Sequence, residues 1–127
     1  MSRSRLAKLN RPHRTNQRLA MQMTDVLAEM VLQDIKWGRH QEHADSHPAV
    51  ETRLPSAAWA KLLVETFARE GAQNWAAIAL EEFLEALEAR PGAARRAELV
   101  QLTAVLFQWI DNIDRRELKR REKGNKP

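Results

Sequence analysis

Four glutamates carry the clearest chemical pattern in this chain. Glu81, Glu82 and Glu85 form an EExxE group, and, separated from it by twelve residues, Glu98 opens the segment Glu98-Leu99-Val100-Gln101. At the α-helical angle, Glu82 and Glu85 stand about 60° apart and one turn from each other, so both carboxylates can reach a common point. Glu98 shares its helical face with Leu102, Val105 and Trp109, all within about 40° of it, a face expected to turn toward neighbouring helices. Carboxylates gathered in a partly buried interior repel one another and lose hydration. A hard divalent cation relieves both costs. Magnesium takes carboxylate oxygens, keeps several waters and completes its shell with substrate phosphate oxygens. With no matching Lys or Arg on these faces, the cluster points to a site for a metal–phosphate substrate. The competing reading is a set of solvated acids, because EExxE is common in any Glu-rich helix.

The elements that must position these residues are helices. Only four glycines, no tyrosine and abundant Ala, Leu, Glu and Arg favour helix over sheet. Leu19, Met23, Val26, Leu27, Met30 and Val31 recur at three- and four-residue spacing, which predicts a first helix from about Gln17 to Trp37–Gly38. A polar loop over residues 38–55 follows, closed by Pro48 and Pro55. Ser56 is placed to N-cap a second helix ending near Glu70–Gly71, and Asn74 a third that ends at Arg90, before Pro91-Gly92. A fourth runs from about Ala93 to at least Arg115, with Leu99, Leu102, Leu106, Trp109 and Ile113 as its packing seam. The expected architecture is an all-α four-helix bundle. Its apolar arcs are wide for so small a core, which points to completion by a second copy.

Charge divides the chain in the same way. Residues 1–18 carry six bases and no acid, residues 115–127 carry seven bases and two acids, and residues 19–114 carry eight bases and fifteen acids. The formal net charge of +4 therefore conceals a central region of −7 between basic ends. We read residues 1–16 as a flexible basic arm, 17–116 as one helical domain and 117–127 as a basic tail. The absence of cysteine excludes disulfide scaffolds, thiolate zinc sites and cysteine nucleophiles, and suits a reducing compartment. No apolar run approaches membrane-spanning length and no signal-peptide segment follows the N-terminus, so a cytoplasmic protein without a membrane partner is expected.

The order of the segments adds a resemblance. Lys36-Trp37-Gly38, then EExxE at 81–85, then a Pro-Gly turn, then ELVQLTAVLFQWIDNIDRR at 98–116 together resemble the MazG-like nucleoside triphosphate pyrophosphohydrolases. These are all-α enzymes whose pattern is EExxE followed after a short gap by ExxD. The likeness covers about residues 20–116 and is nearest to short actinobacterial and phage-associated members. It implies a MazG-like bundle, homodimeric or homotetrameric, that hydrolyses a (deoxy)nucleoside triphosphate to monophosphate and pyrophosphate with Mg²⁺, or Mn²⁺ in its place. Position by position, it implies metal ligation by Glu82, Glu85 and Glu98, with Glu81 matching the first acid of EExxE. Gln101 stands where the family has Asp; its carbonyl can ligate Mg²⁺ but adds no charge, so metal affinity should be lower. Glu81 or Glu82 could accept a proton from the attacking water, and sequence does not choose between them.

Other residues have two readings each. Trp37 could lie against a base with Lys36 facing phosphate, or Trp37 could be a capping hydrophobe and Lys36 a complement to the helix C-terminus. Gln41, with His40 beside it, and Asn112, which projects near Glu98, are further substrate-binding candidates. His40, His43 and His47 match no zinc spacing and read as a solvated loop. Trp59, Trp75 and Trp109 read as core, and Asp111 and Asp114 as structural or interfacial. Two other functions compete with hydrolysis. One is a catalytically silent helical module that binds nucleotide or a protein partner, motivated by Gln101. The other is a nucleic-acid adaptor using both basic ends, which the acidic centre disfavours.

Overall fold

A computed structural model describes residues 14–39 and 42–125, and no strand occurs among them. Five helices follow one another: α1 (Arg14–Trp37), α2 (Pro48–Glu51), α3 (Ala57–Arg69), α4 (Trp75–Glu88) and α5 (Ala93–Gly124). The all-α class is as expected, and the four long helices coincide with the periodic segments. The basic segment from residue 117 is helical as far as Gly124. The short α2 lies in the region read as loop. His47 caps it through Nδ1, which accepts from the Ala49 N–H at 3.0 Å, and Pro48 occupies the first helical position, where a missing N–H costs nothing. His47 is therefore a helix cap.

Two compact units can be distinguished. The first combines α1 with α5 from Asp114 onward. In it the buried Gln22 donates from Nε2 to Asp114 Oδ2 at 3.0 Å, joining the two helices through a polar contact. The apolar arc of α1 departs from the expected buried seam: Val26 is half-buried, but Leu19, Met23, Leu27, Met30 and Val31 are all exposed. Among the described residues of this unit, the partner of α1 is the last turns of α5, too short to cover an arc of such length.

The second unit spans residues 43–113 and contains α2, α3, α4 and the first two-thirds of α5. Ser56 Oγ accepts from the Trp59 N–H at 3.1 Å and Asn74 Oδ1 from the Ala77 N–H at 2.9 Å, so both expected N-caps are formed. After α3 the chain reverses at Gly71, whose φ of +68° would strain a side-chain-bearing residue, while Ala72 N–H closes onto Phe67 O at 2.8 Å. Ala60, Ala77, Leu84 and Ala86 are the buried apolar residues. Three of the four are alanines, small enough to bring α3 and α4 close around Leu84. Trp75 and Trp109 are half-buried. Trp59, expected in the core, is instead 47% exposed, because the helix places Ala60, one position on, at the contact.

Candidate metal centre

The site is built in the second unit, on α4 and α5. Helix α4 ends at Glu88; Ala89 is extended, and Pro91-Gly92 turns the chain into α5, with Gly92 at a φ of +100°. This tight reversal brings the first turns of α5 back beside the end of α4. Glu82 and Glu85 from α4 and Glu98 from α5 then each present a carboxylate oxygen, and the three atoms lie within 4.8 Å of one another. All three residues are half-buried. The convergence expected from spacing on one helix and from face on the other is thus realised across a helix pair.

Electrostatics at the cluster are unfavourable for the protein alone. Glu82 is held above the ordinary carboxylate range, first by burial and then by the negative charges of Glu85, Glu81 and Glu98, with a hydrogen bond to Glu85 adding to the effect. Glu82 Oε2 and Glu98 Oε2 are buried atoms with no hydrogen-bond partner. Two orphaned carboxylate oxygens beside a third carboxylate fit a cation that accepts oxygen donors. Mg²⁺, which prefers carboxylate oxygens and retains several waters, would suit such a donor set.

The remaining candidates are placed as follows. Glu81 is half-buried beside Glu82. Gln101 is exposed on α5, one turn beyond Glu98. Asn112 is half-buried, and its Oδ1 accepts from Trp75 Nε1 at 3.1 Å, so that carbonyl ties α5 to the start of α4. Lys36 and Trp37 belong to the first unit, exposed at the end of α1, with Lys36 Nζ 4.7 Å from the Trp37 ring centre. Their mutual cation–π contact keeps the ammonium over the indole. Gln41 and His40 lie outside the described residues.

Two residues near the cluster were not singled out from sequence. Arg95 Nε donates to Ala86 O, and Nη2 donates to Leu87 O and Ala89 O, each at 3.0 Å, while Nη1 meets Asp45 Oδ2 at 2.7 Å. A signal for this existed. The first turn of α5 contains Arg95 and Arg96 and no acid, an unfavourable placement of cations at a helix N-terminus. It becomes favourable for Arg95 once its guanidinium reaches the carbonyl end of the preceding helix.

No family model, curated protein or solved structure matches this chain. Among the described residues no helix is long and apolar enough to cross a membrane.

Proposed function

We propose that the chain is a Mg²⁺-dependent nucleoside triphosphate pyrophosphohydrolase of MazG-like type. The observation that carries this reading is the meeting of Glu82, Glu85 and Glu98 oxygens within 4.8 Å, at residues of which Glu82 and Glu98 each have a buried carboxylate oxygen without a hydrogen-bond partner. The ordered KWG, EExxE and ELVQ segments support it. Bound Mg²⁺, or Mn²⁺, would supply charge neutralisation and polarisation of phosphoryl oxygens.

The chain's own residues have distinct tasks in this reading. Glu82, Glu85 and Glu98 hold the cation, with Gln101 offering a neutral carbonyl from the next turn of α5. A water oxygen attacks the α-phosphorus, the bond from that phosphorus to the bridging α–β oxygen breaks, and pyrophosphate leaves. The water's proton goes to Glu81, which stands beside the trio without belonging to it. The resemblance alone assigns Lys36, Trp37, Gln41 and Asn112 to substrate binding; Asn112 Oδ1 is engaged by Trp75 Nε1, so such a role falls to its amide NH₂. A second copy covers the exposed apolar arc of α1, giving a homodimer or homotetramer, and the cysteine-free chain works in the cytoplasm.

Incubating the protein and Mg²⁺ with a panel of ribo- and deoxyribonucleoside triphosphates in ¹⁸O-water tests the chemistry. The expected products are pyrophosphate and a monophosphate carrying the label. Label in pyrophosphate would place the attack on the β-phosphorus. No product from any triphosphate would favour a silent nucleotide-binding module, for which neutral Gln101 is the motivating residue.

A further inference from the structure

We propose that Arg95 is the positioning residue of this centre, holding Glu98 opposite Glu82 and Glu85 against their mutual repulsion; the proposal rests on the metal-site reading above. Its basis is the set of bonds made by one guanidinium. Helix α4 ends with carbonyls that have no partner within the helix, and two of them, on Ala86 and Leu87, accept from Arg95 together with the carbonyl of Ala89 just beyond the helix. The fourth contact is the ion pair to Asp45, from the segment preceding α2. The Arg95 side chain is only 15% exposed, whereas that of Asp45 is 58% exposed.

Position in the chain gives these contacts their consequence. Arg95 sits on α5 three residues before Glu98, and its carbonyl partners begin one residue after Glu85 on α4. The turn between the helices is short, so their relative placement is fixed by what bridges it. On the backbone, Arg95 N–H donates to Arg90 O at 3.1 Å and Arg96 N–H to Gly92 O at 2.9 Å, which closes the turn without reaching α4 itself. The Arg95 side chain does reach α4. Three carboxylates drawn together on two helices push those helices apart, and a planar, five-donor fork anchored on α5 and bonded to the end of α4 resists that motion. Asp45 completes the fork and keeps its plane turned toward α4.

The test uses the full-length chain and Mn²⁺ titration followed by the EPR signal of the free ion. Arg95→Ala is expected to weaken Mn²⁺ binding by about tenfold or more, the range typical of residues that orient metal ligands. Arg95→Lys keeps the charge but not the fork and should weaken it similarly, Asp45→Asn less, and Arg96→Ala on the exposed neighbour not at all. In a Glu98→Gln background the Arg95→Ala loss should largely vanish, whereas a general loosening of the fold would persist there. Equal affinity of the wild type and Arg95→Ala overturns the positioning role alone.

If the wild type binds no Mn²⁺, the metal reading falls, and a metal-free measurement decides whether Arg95 sets the helix pair. Because the chain has no cysteine, spin labels can be attached at cysteines replacing the exposed Ala76 on α4 and Ala104 on α5. Labelled chain is diluted with excess unlabelled chain for distance measurement by pulsed EPR. One narrow separation that broadens or lengthens on Arg95→Ala supports the lock; an unchanged distribution overturns it.

Discussion

Glu82 is asked to ionise where burial and three neighbouring carboxylates disfavour ionisation. Its folded-state pKa lies above its unfolded value, so the metal-free folded protein holds more protons than the unfolded chain in the interval between them. Stability of the metal-free protein should therefore fall as pH rises through that interval, which begins near the ordinary glutamate value. Glu82→Gln should flatten this dependence and raise the melting temperature at neutral pH without divalent cation, while removing stabilisation by added Mg²⁺. Thermal melts across pH with EDTA and with Mg²⁺ check both halves. At Gln101, replacement by Asp adds the missing charge one turn from Glu98, and Mg²⁺ affinity measured by calorimetry should tighten; an unchanged titration would place that side chain outside the site. At this scale the glutamates were legible because helical periodicity alone brings 82 and 85 together and puts 98 on an apolar face. Arg95 was less so: two arginines in an acid-free first turn of α5 are a signal that the pair needs acceptors elsewhere, but three of its four contacts are to backbone carbonyls, whose position no side-chain pattern records.

Helix boundaries were the most legible feature, and the reason is local chemistry. Ser56 and Asn74 cap their helices as their types dictate, and the Pro91-Gly92 turn separates α4 from α5. Asn74→Ala should cost about 1 kcal/mol in urea unfolding, since the Ala77 N–H loses its acceptor. Leu84→Ala should cost more, about 2–5 kcal/mol, because among the described residues Leu84 is the one large apolar side chain that is buried, and it sits between small alanines. The smaller loss at Leu84 would mean that α3 and α4 collapse readily around it. Less legible were the faces of the helices. On α3, Trp59 and Leu62 lie outward at 47% and 60% exposure, while Ala60 makes the buried contact. Hydrophobicity identified an apolar arc there, but which edge of the arc is covered depends on the partner helix. The Glu88 carboxylate adds a contact of that kind, accepting from the Ala57 N–H at the start of α3 across a separation of 31 residues.

For the whole molecule, the apolar residues exposed along α1 set the main expectation. Ile35 and Met21 are 77% and 69% exposed, and exposed Leu27, Met30, Val31 and Leu32 extend the surface along the helix. Surfaces of this kind mark association sites. Light scattering should return at least twice the chain mass, and Leu27→Glu with Met30→Glu should shift it toward the monomer; a monomeric wild type would contradict the assembly. The charge pattern belongs to this scale too, with basic ends around an acidic centre that contains all four glutamates of the proposed site. Function is tested most directly by Mg²⁺-dependent pyrophosphate release from nucleoside triphosphates by the wild type, Glu85→Ala and Glu98→Gln. The account predicts turnover by the wild type that requires the cation, and a fall of about a hundredfold or more in each variant, in keeping with loss of an electrostatic contact to the reacting group. Absence of turnover by the wild type, or an unchanged rate in both variants, would contradict it.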